Sequence, residues 1–282
     1  MNKASSSGLG EQIRRHSLLW YFIIAYAVSW SIEIPLALSV QGLVSWRLPL
    51  WIHYLASFGP LVAAIVVTGI TRGGDGLNDL LKRIVQWRVG WRWYAVAIGA
   101  PLLLFALAVL IQRLVGGTWP SLALLGQADY LPYIGPVAAL GLWLLTYGLG
   151  EETGWRGFAL PRLQASRSAA SATLILWALW AGWHLPAFFY RDTYVAMGPL
   201  GFLMFAFSLL FAAMLFTWLY NSSRGSVLIV ILFHGMFNWL SVSDAGGSFA
   251  PMIMTIPVIV WAVLIPRLYG VENASTLKKQ TA

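Results

Sequence analysis

Cysteine is absent from the 282 residues of the chain. Without thiols the protein can form no disulfide, no cysteine nucleophile and no metal site built on thiolates. Two hydrolase signatures are missing as well, the zinc-binding His-Glu-x-x-His and the serine elbow Gly-x-Ser-x-Gly. These absences disfavour the zincin and serine-hydrolase classes.

Charged residues are also scarce, at 10% of the sequence, while 59% of the residues are hydrophobic and the mean hydropathy is +0.72. A soluble domain is about 25% charged, so this composition indicates a lipid environment. A run of about 20 apolar residues crosses the hydrocarbon layer as a helix. The sequence therefore predicts an all-α, polytopic transmembrane bundle that forms a single integral membrane domain over residues 1–282.

Eight spans are predicted from the apolar runs. The stretch from Thr71 to Arg92 is predicted to be a short amphipathic helix on the cytoplasmic surface of the membrane, and residues 73–76 to form a loop. The predicted spans are about 18–40, 50–70, 93–112, 134–154, 170–190, 200–220, 225–242 and 250–267.

Basic residues are distributed unequally between the two sides of this eight-span arrangement. Three lie on the side opposite the termini, namely Arg47, Arg113 and Arg191. Because cytoplasmic loops are enriched in Lys and Arg, both termini are predicted to be cytoplasmic. The net charge of +8 follows from this rule and indicates no nucleic-acid partner. The basic residues on the side of the termini are Lys3, Arg14, Arg15, Arg72, Lys82, Arg83, Arg88, Arg92, Arg156, Arg162, Arg167, Arg224, Arg267, Lys278 and Lys279.

Two adjacent carboxylates, Glu151 and Glu152, lie near the end of the fourth span. Glu152 and Arg156 are four residues apart, which places them on one helical face where they can form a structural ion pair. Successive helical residues are turned by about 100°, so Glu151 projects elsewhere and is a candidate for chemistry.

Histidine and asparagine side chains supply the other candidate groups. His184 lies in an apolar span just before Pro186, which frees a backbone carbonyl and favours a kink. His234 and Asn238 are one helical turn apart and could donate hydrogen bonds to one small group, as in an oxyanion hole. The alternative for this pair is hydrogen bonding between helices. Glu33 and His53 are given no role.

Taken in order, Glu151-Glu152-x-x-x-Arg156, Trp180-x-x-x-His184 and His234-x-x-x-Asn238 resemble the motifs of one known family. This is the CAAX protease and bacteriocin-processing family, also called Abi, which includes the Ras-converting CAAX endopeptidases. The resemblance covers about residues 140–242. The family usually has Phe where this chain has Trp180, which keeps an aromatic wall and makes Trp180 a candidate for the substrate pocket.

The resemblance implies an intramembrane endopeptidase in which Glu151 and His184 activate a water molecule. It further implies that His234 and Asn238 bind the oxyanion and that Glu152 with Arg156 supports the site. The expected substrate is a membrane-embedded or lipid-anchored peptide, prenylated or a precursor, and no cofactor is expected. Spans four, five and seven are expected to meet around a cavity open to the cytoplasm.

Two other interpretations remain open. In the first, Glu151, His184 and His234 bind zinc, with water as the fourth ligand of a metalloprotease. That arrangement would leave Asn238 without an obvious task. In the second, the chain is a non-catalytic bacteriocin-immunity or scaffold protein, which has no need for a buried base and two oxyanion donors. A transporter is less consistent with the chain, because it contains no evident inverted repeat.

Overall fold

The computed structural model describes residues 8–117, 119–127, 130–247 and 249–282, and within these ranges the regular elements are all helical. Six helical segments are long and apolar enough to cross a membrane: α1 (Ser17–Val40), α2 (Leu50–Ile84), α3 (Trp91–Gly116), α5 (Ala169–Phe189), α6 (Gly201–Ser222) and α8 (Ala250–Tyr269). A shorter apolar helix, α7 (Val227–Ser241), lies between α6 and α8. The predicted polytopic helical membrane bundle is confirmed.

A further long helical segment, α4 (residues 136–164), corresponds to the fourth predicted span. It begins with Pro136, which is well tolerated in a first helical turn because it lacks only a donor that would be unpaired there. Two stretches, Leu144–Glu151 and Trp155–Ala159, form wide π turns. Such turns often occur at functional sites, since they rotate the side chains that follow.

Glycines allow α4 to approach its neighbours closely. A Cβ atom added at Gly150 would lie 2.7 Å from the carbonyl oxygen of Ser57, and one at Gly154 would lie 2.5 Å from Cβ of Pro60. Both are closer than real Cβ contacts, so α4 and α2 could not pack in this way with larger residues. The close packing holds α4 at the centre of the bundle.

The prediction of a loop at residues 73–76 is wrong, because the helix of α2 continues to Ile84. Gly73 alone breaks the regular backbone, with φ 61° and ψ −150°, a conformation that only glycine adopts easily. Residues 71–84 of the predicted amphipathic surface helix are therefore the last part of α2, and its remaining residues form the connection to α3 and the start of α3 at Trp91. In this last part of α2, Leu80 is buried, whereas Leu81 is exposed.

Candidate active site

The two adjacent glutamates of α4 point in different directions. Both are almost completely buried, with Glu151 1% and Glu152 0% exposed. Glu151 ends the first π turn of α4 and lines a large cavity, whereas Glu152 lies behind the cavity wall. One carboxylate therefore faces the space that a substrate could occupy, and the other faces the protein interior.

Glu152 is held by a cation and a histidine. Its two carboxylate oxygens each accept a hydrogen bond of 3.0 Å from Nη1 of Arg156. Oε1 also lies 2.8 Å from Nδ1 of His234 on α7. The expected ion pair between Glu152 and Arg156 is thus present. It also includes His234, a contact that the sequence did not predict.

Aromatic rings surround the guanidinium group of Arg156, which is completely buried. Its central carbon lies 4.4 Å from the ring centroid of Trp180 and 4.8 Å from that of Phe216. Within the described residues, Nε and Nη2 of Arg156 have no hydrogen-bond partner. Cation–π contacts with the two rings thus replace part of the hydration that this charge loses.

Trp180 connects Glu151 with His184. Its indole Nε1–H donates a hydrogen bond of 2.8 Å to Oε2 of Glu151. Its backbone oxygen lies 2.7 Å from Nδ1 of His184. A carbonyl oxygen can only accept, so Nδ1 must carry the proton and the neutral ring of His184 has Nε2 as its acceptor.

The local sequence explains the position of His184. The regular α-helix from Ala169 ends at Trp183, His184 is its C-cap, and Leu185–Phe189 continues as a tighter 3-10 turn. Pro186 has no backbone N–H to continue the α-helical pattern, so the helix changes at this point. The structure thus shows a change from α-helix to 3-10 turn beside His184, where the sequence predicts a kink.

Glu151, His184, His234 and Asn238 all line one cavity of about 570 Å³. This volume lies within the range of about 300–1,000 Å³ that is common for ligand pockets. Trp180 also contributes to the wall. The structure therefore brings the candidate catalytic residues of α4, α5 and α7 to a common space.

A second group of polar residues lines the same cavity and was not identified as functional from the sequence. Glu33 of α1 is 5% exposed and accepts a hydrogen bond of 3.3 Å from Tyr190. His53 of α2 lies 3.2 Å from the hydroxyl of Tyr147 through Nε2. Glu33 and His53 are intramembrane ionisable residues, a signal of function in itself. Their convergence with Tyr147 and Tyr190 depends on tertiary packing.

Glu151, His184 and His234 carry side chains of the types that bind zinc. Across the residues that the structure describes, no group of three His, Cys, Asp or Glu side chains is arranged to hold a metal ion. Both histidines of the site are nevertheless oriented through Nδ1 by an oxygen atom, an arrangement that metal-binding histidines also use. Elemental analysis of the purified protein distinguishes the zinc alternative from a metal-free site.

Comparison with known proteins gives the family context of this site. Residues 133–240 match the family model "Type II CAAX prenyl endopeptidase Rce1-like". These residues form a CAAX prenyl endopeptidase-like domain. The domain contains all the residues carried over from the sequence resemblance. The chain is also 23% identical over 184 residues to CAAX prenyl protease 2 of Methanococcus maripaludis, in an alignment that covers 64% of this chain and 67% of the relative.

These similarities confirm the family recognised from the three motifs and the prediction that the protein is a peptidase of the CAAX prenyl endopeptidase type. The endopeptidase-like domain comprises α4, α5, α6 and most of α7. The cavity extends beyond it, because Glu33 and His53 belong to α1 and α2. Part of the cavity wall is therefore built by residues outside the matched domain.

Proposed function

We propose that the protein hydrolyses a peptide bond of a membrane-associated polypeptide inside the bilayer, with water as the nucleophile and no metal ion. The observation that carries the proposal is the common cavity of Glu151, His184, His234 and Asn238. A binding protein or scaffold has no evident use for two proton acceptors and two potential oxyanion donors around one buried space.

Water activation is assigned to Glu151 and His184. The hydrogen bond from Trp180 orients the carboxylate through Oε2, and the protonated Nδ1 of His184 makes Nε2 an acceptor. A water molecule between these groups loses a proton to Glu151, with His184 assisting, as the water oxygen attacks the substrate carbonyl carbon. When the tetrahedral intermediate collapses, the carbon–nitrogen bond breaks and the amine leaves with that proton.

Oxyanion binding is assigned to Asn238 and His234. The amide of Asn238 can donate directly, since its nitrogen carries two protons. For His234, Nδ1 is engaged with Glu152, so Nε2 can donate only in the doubly protonated ring. Glu152, which also pairs with Arg156, accepts the hydrogen bond from Nδ1 of this imidazolium. The proposal therefore includes a protonated His234 during the reaction.

Glu152 and Arg156 are assigned to support. They lie outside the cavity lining and are fully buried, so they do not meet substrate. Their contacts orient His234 through Nδ1 and the ring of Trp180 through the guanidinium face. In a low dielectric such fixed groups stabilise developing charge without having to rearrange.

The proposed substrates are membrane-embedded or lipid-anchored peptides. The relative from Methanococcus maripaludis is named for prenylated CAAX substrates, and the cavity here is lined by aromatic rings such as Trp143, Trp183 and Phe205. An apolar wall of this kind fits an acyl or prenyl chain as well as an apolar peptide segment. The prenylated CAAX peptide is therefore the first candidate, and an unlipidated precursor peptide the second.

The test is an activity assay on purified protein in liposomes, with each peptide offered in prenylated and unprenylated form. Wild type is expected to release a defined peptide product, whereas Glu151→Gln and His184→Ala release none. Glu11→Gln is the matched control, because Glu11 is an exposed acid on the short helix Leu9–Arg15. Cleavage by Glu151→Gln at the rate of Glu11→Gln, or no cleavage of any peptide by wild type, contradicts the proposal.

A further inference from the structure

The cavity reaches the surface at one end of the bundle. Among its lining residues, Thr193, Met197, Asp244 and Pro251 are exposed. They lie in the connections after α5 and α7 and at the first residues of α8. Glu151, at 1% exposure, lies at the deep end of the same cavity. The mouth is therefore formed by the connections that face away from the start of α1 and the end of α8.

The other end of the bundle is closed by the residues that follow α8. The backbone N–H of Ala169 donates a hydrogen bond of 2.8 Å to the carbonyl of Glu272. The side chain of Gln164 donates to the carbonyl of Gln280 at 2.7 Å, and the N–H of Gln280 donates to Oδ1 of Asn221 at 3.1 Å. Gln164 and Asn221 are both 0% exposed. This buried network covers the ends of α4 and α6.

Buried side chains lie between the cavity and this closed end. Glu152 and Arg156 are fully buried, and Trp180 and Phe216 lie against the guanidinium group. Glu151 therefore lines a cavity that reaches the mouth, whereas the neighbouring Glu152 and Arg156 lie outside the cavity lining.

Basic residues mark the closed end as the cytoplasmic one. Cytoplasmic loops are enriched in Lys and Arg. Arg156 is left out of the comparison of the two ends, because it is buried in its ion pair with Glu152. The mouth end carries Arg47, Arg113 and Arg191, in agreement with the depletion expected outside the cytoplasm. The basic residues of the closed end are Arg14, Arg15, Arg72, Lys82, Arg83, Arg88, Arg92, Arg162, Arg167, Arg224, Arg267, Lys278 and Lys279.

This geometry makes two sequence-based expectations incompatible. Cytoplasmic termini and a cavity open to the cytoplasm cannot both hold, because the mouth and the termini lie at opposite ends of the bundle. The charge distribution is the stronger of the two observations, since it involves many residues, whereas the cytoplasmic opening is expected only because costly polar residues must face inward, which does not determine the side on which the cavity opens.

We infer that the cavity opens on the non-cytoplasmic face of the membrane and that it receives a membrane-anchored polypeptide whose cleavable segment is presented on that face. Cleavage of this polypeptide rests on the proposed peptidase function, but the direction of the opening does not. The prenylated CAAX peptide therefore stays the first candidate only where its cleavable segment is presented on that face, because a CAAX sequence exposed only to the cytoplasm would not reach this mouth.

The absence of cysteine allows a direct test, because single cysteines can be introduced into an otherwise thiol-free chain. Thr193→Cys and Asp244→Cys are placed at the mouth, and Ser166→Cys, at an exposed position between α4 and α5, is the matched control at the closed end. Intact cells that express each variant are treated with a membrane-impermeant maleimide, before and after permeabilisation. The mouth cysteines are expected to be labelled in intact cells and the control only after permeabilisation.

A second pair tests the cavity itself. Ser241 lines the cavity and Ser222 is buried at the closed end. Ser241→Cys is expected to react from outside with a small cationic methanethiosulfonate, whereas Ser222→Cys is not. Labelling of Ser166→Cys in intact cells, or protection of both mouth cysteines until permeabilisation, overturns the inference. Labelling does not depend on turnover, so a wrong orientation and a wrong peptidase assignment give different results.

Discussion

Replacing Trp180 by Phe isolates a single hydrogen bond of the site. The change removes the indole N–H that donates to Glu151 at 2.8 Å. It retains an aromatic ring for Arg156, and it retains the backbone carbonyl that contacts Nδ1 of His184. Trp180 is 2% exposed, so water cannot easily replace the lost donor. The substitution therefore tests whether the orientation of the Glu151 carboxylate matters for catalysis.

The expected loss follows from the strength of this bond. A hydrogen bond to a charged group contributes about 1.5–3 kcal/mol, and about 1.4 kcal/mol corresponds to a tenfold change in rate. If the bond is fully used in the transition state, kcat falls on the order of 10- to 100-fold. KM is expected to change little, because the lost donor holds the base and does not contact the substrate.

The assay is steady-state kinetics on the peptide that wild type cleaves best. Trp239→Phe is the matched control, since Trp239 lies outside the cavity lining and its indole nitrogen, unlike that of Trp180, has no hydrogen-bond partner among the described residues. A kcat of Trp180→Phe equal to that of Trp239→Phe refutes the argument. A rise in KM at unchanged kcat also refutes it, because Trp180 would then act as a pocket wall only.

Three other predictions address the remaining parts of the site. Asn238→Ala is expected to lower kcat by about 10²–10³ with little effect on binding, as for other lost oxyanion donors; near-normal turnover contradicts the assignment. Elemental analysis of active protein is expected to find no stoichiometric metal, and stoichiometric zinc lost in His234→Ala establishes the metalloprotease instead. Glu152→Gln is expected to destabilise the protein by about 3–5 kcal/mol, because it strands the buried charge of Arg156. Thermal unfolding in detergent measures this loss of stability. A melting temperature of Glu152→Gln equal to that of Glu11→Gln contradicts the prediction.

The helical bundle could be predicted well from the sequence. In lipid every backbone polar group must be satisfied within its own segment, so apolar runs of sufficient length become helices. The pairing of Glu152 with Arg156 could also be predicted from the sequence, because residues four positions apart are neighbours on one helical face. Both inferences depend only on local periodicity.

Contacts between helices could not be predicted from local periodicity. The bond between His234 and Glu152 joins residues 82 positions apart and depends on how α4 and α7 are rotated. The wide turns of α4 change that rotation, and no simple residue pattern predicts them. Similarly, Glu33 and His53 were recognised as unusual polar residues, but only the packing of α1 and α2 brings them into the cavity.

The adjacent glutamates show how one helix can supply both chemistry and support. A step of about 100° separates neighbouring side chains, so Glu151 can face the cavity while Glu152 faces Arg156 and His234. The two carboxylates share the same burial but not the same partners, because the cation and the histidine belong to Glu152 and the indole donor belongs to Glu151. Substitution by Gln should therefore separate their effects. Glu151→Gln is expected to abolish turnover and leave the melting temperature close to that of wild type, since no buried countercharge is stranded. If Glu151→Gln instead lowers the melting temperature as much as Glu152→Gln, both residues stabilise the fold. The assignment of catalysis to Glu151 and of structural support to Glu152 is then wrong.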